Sequence, residues 1–274
     1  MKMHNSSRIT RFYPSAIVLA LGLSGGMAFA AATASDTAAN YTSGWGSSPA
    51  NLGTGFGAWT VVVQNNDGPP YAGTYLDSSS PVITGGSSWG TYANNATTLI
   101  PSISLSRAFN PGASTSSSLY NQTFSFAMAS YGVGPGQGLL SASVGNAFSF
   151  QYVGTGSDAM IFNTPTAAIT TPVDFSELNA GLLVSLSVSG ALNSPSEGYT
   201  FTVSPFAGGS PLYTTSGTFD SSVDNTSSFT FLDSNTTQNN YLNDLNITAE
   251  VPEPSSLVLL GMGLAGWLSS RRRK

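Results

Sequence analysis

Cysteine is absent from the 274-residue sequence, histidine occurs once, at position 4, and charged residues make up only 8%, where soluble domains carry about 25%. Lack of cysteine excludes a disulfide framework, a thiol nucleophile and a thiolate metal site. Basic residues are scarce and confined to the ends: Lys2, Arg8 and Arg11 at the start, Arg271, Arg272, Arg273 and Lys274 at the close. Between them stands only Arg107, facing the twelve carboxylates that run from Asp36 to Glu250. A body without Cys, His or Lys lacks most of the side chains that serve as nucleophiles, acids and bases near neutral pH, so no enzyme activity is expected. It also lacks the basic surface that nucleic-acid affinity needs, and no nucleic-acid partner is expected.

The two cationic ends each flank an apolar run. At the N-terminus the basic stretch precedes Ala16 to Leu23, and Ala28-Phe29-Ala30 follows as a small-x-small site that would leave Ala31 first. That order is the pattern of a secretory signal peptide over residues 1–30. At the C-terminus Val251-Pro252-Glu253-Pro254 leads into Ser255-Ser256, the apolar run Leu257 to Leu268, Ser269-Ser270 and the terminal basic cluster. The segment from Ser255 to Ser270 would be about 24 Å long as a helix, short of a hydrocarbon core of ~30 Å. Snorkelling arginines and local thinning of the bilayer accommodate such a gap. One short transmembrane helix is therefore expected, with Arg271, Arg272, Arg273 and Lys274 cytoplasmic. This topology places residues 31–250 outside the cytoplasm, in agreement with the leader.

The tail, with Pro252-Glu253-Pro254, an apolar run containing Gly261, Gly263 and Gly266, and a basic end, resembles the PEP-CTERM sorting domain of Gram-negative bacteria. The resemblance covers residues 251–274. It implies recognition by an exosortase, a membrane protease that removes the tail during export. It further implies transient residence in the inner membrane, then the cell envelope, outer surface or extracellular space. A role alongside exopolysaccharide or biofilm matrix is part of the same implication.

Residues 31–44 read as a flexible leader and residues 45–250 as one domain. Within that domain, polar and apolar residues alternate repeatedly, as in Gln122 to Met128, Ala147 to Val153, Leu182 to Val188, Tyr199 to Val203 and Ser228 to Leu232. Period-two alternation marks strands with one buried and one wet face. Trp59 to Val63, Leu99 to Leu105, Met160 to Phe162, Tyr213 to Phe219 and Tyr241 to Ile247 are further strand candidates, separated by Gly/Pro-rich turns. No stretch before the tail has a convincing helical period. The expected fold is all-β, an antiparallel β-sandwich of about ten strands. Phe124, Phe126, Phe148, Phe150, Tyr152, Phe201, Phe229 and Phe231 should point inward. Gly53-Thr54-Gly55-Phe56-Gly57-Ala58-Trp59, Ser88-Trp89-Gly90-Thr91-Tyr92-Ala93-Asn94 and the closing Tyr241 to Ile247 resemble exported PEP-CTERM proteins with concanavalin-like, jelly-roll bodies.

Three chemistries bear on this body. A glycosidase needs two facing carboxylates about 5–9.5 Å apart, but no clear strand carries acids at i and i+2 or i+4. Asp174 and Glu177, three apart, would face opposite sides of a strand. A degenerate glycosidase is the most distant reading. Calcium takes six to eight oxygen ligands, and Asp220, Asp224, Asp233 and Asp244 cluster in sequence, although no fixed-spacing loop is present. No cofactor is expected beyond that candidate. Sugar rings stack on exposed aromatics. Trp45, Tyr71, Tyr75 and Trp89 are candidate contacts for a lectin-like carbohydrate-binding module with a polysaccharide partner. Six Asn-x-Ser/Thr triplets in the body, at Asn40, Asn95, Asn121, Asn225, Asn235 and Asn246, follow from composition in a chain this rich in Ser, Thr and Asn.

Overall fold

Alternating apolar residues demand a partner surface, and in the computed structural model two antiparallel sheets supply it to each other. The structure describes residues 29–41, 45, 51–64, 71–94, 100–109, 120–131, 138–145, 147–154, 159–191, 197–219, 228–236 and 239–252. Ala28, Glu253, Pro254, the apolar run of the tail and its basic cluster lie outside the described residues, as do Asp220 and Asp224. Among the described residues no helix is long and apolar enough to cross a membrane.

Fifteen strands are found among the described residues. The first sheet runs in the order β13 (Tyr213–Thr218), β12 (Gly198–Pro205), β11 (Leu182–Ala191), β6 (Tyr120–Ser130), β15 (Asn239–Pro252), β4 (Ser88–Ala93), β3 (Ala72–Asp77), with β1 (Phe29–Asp36) also paired to β15. The second runs β10 (Ala168–Thr170), β9 (Met160–Asn163), β8 (Phe148–Val153), β7 (Leu139–Val144), β14 (Ser228–Ser234), β5 (Ser102–Ala108), β2 (Thr60–Gln64). All eight aromatics expected to face inward are buried. They meet across the layers: Phe126 of β6 lies 5.3 Å from Phe229 of β14, and Phe201 of β12 stacks on Phe162 of β9 at 4.0 Å between ring centroids.

Two readings of the sequence are corrected here. Residues 31–36 are not a flexible leader. They continue β1 and pair in register with β15 from Ala31↔Glu250 to Asp36↔Leu245, and a 3-10 turn follows at Ala38–Asn40. Small residues suit a strand that must lie close beside a neighbour, and the open backbone of β15 gives it one. Asp174 and Glu177 are not strand residues either. They form a capping box on the helix α1 (Phe175–Ala180), the Asp174 carboxylate accepting from the Ser176 and Glu177 amides and Glu177 accepting from the Asp174 amide. The Asp-x-x-Glu spacing is a helix-start signal, but a helix of six residues is too short to reveal a period.

Long β15 organises the chain ends. On one side it pairs with β6. On the other, Asn239 to Leu242 pair with β4 and Leu245 to Pro252 with β1. Where the partner changes, β15 bulges between Asn243 and Asn246, and Asp244 takes φ +48°. The fully buried Asn243 fills the junction: its Oδ1 accepts from the Ala38 amide and the Thr37 hydroxyl, and its Nδ2 donates to the Val82 and Ser87 carbonyls. All the hydrogen-bonding capacity a buried amide must satisfy is met.

Candidate functional site

Four places collect the polar and aromatic side chains that could act. The first is buried. Arg107, the one basic residue of the body, reaches from β5 to Asp36 at the end of β1, and neither side chain is exposed. Its Nη2 also donates to Asn51 Oδ1 and the Gly57 carbonyl, both at 2.7 Å, and its guanidinium lies 4.5 Å from the Phe56 ring and 4.8 Å from the Trp59 ring. Asp36 is further held by the Tyr41 hydroxyl at 2.7 Å and Asn40 Nδ2 at 2.8 Å. Burial, reinforced by the hydrogen bond to Asp36, pushes the Tyr41 phenol up to about 12. The guanidinium and the Asp36 carboxylate are held by other parts of the chain, so this cluster joins the two sheets.

Asp233 makes a second buried tie. From β14 it accepts from the Thr91 hydroxyl of β4 at 2.8 Å and from the Thr236 hydroxyl at 2.6 Å, while Asn240 donates to Thr236 at 2.8 Å. Burial dominates those hydrogen bonds and raises its carboxyl to about 6. Asp244, the other described member of the calcium candidates, accepts from the Thr84 hydroxyl at 2.6 Å. Among the described residues no three His, Cys, Asp or Glu come together as a metal-binding group.

The aromatic candidates separate. Trp45 and Trp89 are buried, at 2% and 0% exposure, and stack 5.9 Å apart with Trp59 edge-on to both. As contacts for carbohydrate these two are corrected: a tryptophan on the inner face of β4 packs between the sheets, where a sugar has no access. Tyr71 is half-buried at the entrance to β3.

Tyr75 instead stands on the outer face of the first sheet, in a cluster with Tyr92, Tyr131 and Tyr241. Ring centroids are 6.3 Å apart for Tyr75–Tyr92, 6.4 Å for Tyr75–Tyr241 and 5.2 Å for Tyr131–Tyr241. Its origin is a repeated triplet. Gly73-Thr74-Tyr75 of β3 and Gly90-Thr91-Tyr92 of β4 pair antiparallel about Thr74↔Thr91, so each tyrosine falls opposite the other strand's glycine. A Cβ on Gly73 would stand 2.5 Å from the Tyr92 hydroxyl, and one on Gly90 2.5 Å from Tyr75 Cζ. The rings thus lie across the neighbouring strand in space that only glycine leaves open. Tyr241 is buried beneath them, Tyr75 and Tyr92 are half-buried, and Tyr131 is 37% exposed at the rim, its hydroxyl 3.5 Å from the Ser79 carbonyl. Burial holds the Tyr75 and Tyr131 phenols above their ordinary values. Tyr131 and Tyr241 were missed as members of this face, since the doubled Gly-Thr-Tyr signals only Tyr75 and Tyr92 and the other two join them through strand pairing.

A fourth place is where β1 begins and β15 ends. β1 starts at Phe29, inside the small-x-small signature, and β15 ends at Pro252, the first residue of Pro-Glu-Pro. Phe29 pairs with Pro252 and Ala30 with Val251. At the opposite end of this ribbon a cavity of about 420 Å³ is lined by Asp36, Asn40, Leu52, Thr54, Asp244 and Asn246 among others.

The PEP-CTERM protein-sorting motif matches residues 250–274. No curated protein matches the chain in sequence. Among solved structures it is similar to a botulinum neurotoxin DC binding domain in complex with SialylT, at 13% identity and TM-score 0.37 over 69% of this chain and 43% of that one. It is also similar to a botulinum neurotoxin serotype D/C binding domain, at 14% and 0.38 over 69% and 44%. A third is a carbohydrate esterase from the Shiga toxin-encoding bacteriophage phi24B, at 12% and 0.40 over 71% of this chain and 90% of that one. The chain spans less than half the length of the neurotoxin domains, and likenesses this shallow carry no argument about function.

Proposed function

We propose that the chain is an exported protein, led out by its N-terminal signal peptide, held by a short C-terminal helix, and cut by an exosortase at the cell membrane. Its jelly-roll-like body then serves as a non-enzymatic structural or adhesive component of the cell surface or extracellular matrix, alongside exopolysaccharide. The observation that carries this reading is the sorting motif at residues 250–274. Support comes from the body, whose one arginine is engaged in an internal ion pair and whose surface therefore offers no cationic machinery. Glu253→Ala is expected to leave the protein retained in the membrane, scored as tail-bearing chain in the membrane fraction. Release at the wild-type rate would contradict the sorting reading.

A second reading is favoured by the tyrosine face. Half-buried rings lying across a sheet present flat apolar surface, and Tyr131 keeps 37% of its surface in water, the combination that sugar C–H faces stack upon. In this reading the body is a lectin-like module. The purified body should bind a subset of polysaccharides on a glycan array, and Tyr131→Ala should weaken that binding roughly tenfold, about 1.4 kcal/mol. Binding unaffected by Tyr131→Ala would remove the tyrosine face from consideration.

A further inference from the structure

We infer that the hydroxyl-bearing outer face of the first sheet binds a single extended chain of neutral polysaccharide, laid across its strands. This rests on the lectin-like reading above and adds to it a surface separate from the tyrosine cluster.

Register builds the face. Leu186 of β11 pairs with Phe124 and Phe201, and all three are buried between the sheets. Ser185 and Ser187, on either side of Leu186, therefore point outward. Ser185 pairs with Ser125 of β6 on one side and Thr202 of β12 on the other. The row continues through Asn246 and Ser35 to Thr54 at one end, and to Thr214 of β13 at the other. In the next row Ser187 lies between Thr123 and Thr200, flanked in turn by Thr248 and Ser216. Every residue of both rows is exposed or half-buried and carries a hydroxyl or an amide, and none is charged or apolar. Hydroxyls meet across strands, at 3.0 Å for Thr123 with Ser187 and 3.1 Å for Ser35 with Thr54. Surfaces that only keep a domain dispersed mix charges of both signs; these rows hold neither.

The chemistry suits a sugar polymer. A hydroxyl has one donor and two acceptor sites, so a pair sharing one bond can still meet a sugar hydroxyl of either polarity. Ser and Thr also lose less side-chain freedom on contact than Lys, Glu or Gln would. Strands stand about 4.8 Å apart, close to the length that one pyranose adds to an extended glycan, so successive sugars meet successive strands. Across β13, β12, β11, β6, β15, β1 and the Thr54 segment the row is roughly 29 Å long at that spacing. Two hollows lie on the face. One is the cavity of about 420 Å³ at Thr54, Ser35 and Asn246, beside the exposed Leu52. The other, about 330 Å³ at Thr123, Ser187 and Thr200, is opened by the missing side chain of Gly198. Because sheets twist, the row is a curved path that one flexible chain follows and a crystal face does not. Charge selects the polymer. Twelve carboxylates lie between Asp36 and Glu250 against one arginine, itself paired internally, so a uronate polymer is repelled and a neutral one is not. With no aromatic ring in either row, each sugar contributes little, and affinity grows with the number of strands engaged.

The test uses the full chain carrying Tyr131→Ala, which weakens the tyrosine face, purified in a sugar-free detergent and immobilised. Hydroxyethylcellulose, dextran and galactomannan are the neutral probes and alginate the acidic one. At least one neutral probe should bind this chain, and alginate should not. Fragments of the bound probe should tighten at least roughly tenfold from disaccharide to hexasaccharide. Adding Ser185→Glu, or separately Thr200→Glu, should weaken polymer binding at least roughly tenfold, with thermal melts as the check on folding. Thr200 is exposed, so its variant carries the test if Ser185→Glu fails to fold. Glu variants that fold and bind as tightly as their parent would overturn the face, as would affinity independent of fragment length. Alginate bound as tightly as the neutral probes would overturn the choice of polymer. Binding by the unsubstituted chain that Tyr131→Ala abolishes would overturn this face and leave the lectin-like reading standing. No probe bound by either chain would sink that reading, and this face with it.

Discussion

Asp233 is a carboxylate buried without a cation, and Thr91, Thr236 and Asn240 supply only neutral donors. Desolvation outweighs those donors and lifts its pKa from 3.8 to about 6. The folded state therefore binds a proton that the unfolded chain releases between about pH 4 and 6. Stability from this group is fully present at the acid end of that window and is lost as pH rises through 6, by about 3 kcal/mol. Asp233→Asn, which has no such proton to lose, should show a flatter profile, gaining on wild type between pH 4.5 and 7.5 in urea-unfolding titrations. Parallel profiles would contradict the assignment. Arg107 shows the opposite solution, a buried charge with a carboxylate, an amide oxygen and a carbonyl around it. Burying a lone guanidinium is costly enough that all its partners must be in place together, which is why Asn51 and Gly57, distant in sequence, converge on it.

At the level of elements, the antiparallel pairing of two Gly-Thr-Tyr triplets is the most specific feature of the outer face. Gly90 stands between Tyr75 on β3 and Tyr241 on β15, and its missing side chain is occupied by the Tyr75 ring. Gly90→Ala should force that ring off the sheet at a cost of about 1–3 kcal/mol, or a fall in Tm of roughly 2–4 °C for each kcal/mol in a domain of this size. Gly57→Ala is the comparison, since its Cβ would meet nothing closer than 3.6 Å. Thermal melts in which the two variants shift equally would show that ring displacement is not the cost. The same scale explains what escaped sequence reading. β1 has the composition of a linker, and alanine has little strand preference of its own; it is a strand because half of β15 would otherwise lack a neighbour. α1 is a single capped turn and a half, visible in Asp174 and Glu177 but below the length at which periodicity speaks.

Across the whole molecule, the alternation of Phe124 with Phe126, Phe148 with Phe150 and Phe229 with Phe231 was enough to predict an all-β antiparallel fold and its core. Each residue's side of a strand follows from its parity alone, and parity is local. The C-terminal sorting motif was equally legible, because a linear signal read by another protein has to be encoded in consecutive residues. Other features depended on which strands became neighbours. Trp45 and Trp89 look alike in sequence to the tyrosines they were grouped with, and only the packing of β4 against β5 and β14 buries Trp89, with Trp45 stacked on it. Arg107 and Asp36 are 71 residues apart, and no local pattern links them. Above all, the pairing of Phe29 with Pro252 brings the two most recognisable signals of the chain, at opposite ends of the sequence, into adjacent register. The sequence by itself determined the alternating strands, their inward face and the C-terminal sorting motif, since these are written in local order. The tertiary structure decided which aromatics remain at the surface, how the body's lone cation is neutralised and that β1 and the end of β15 share one ribbon, because each of those depends on long-range strand pairing.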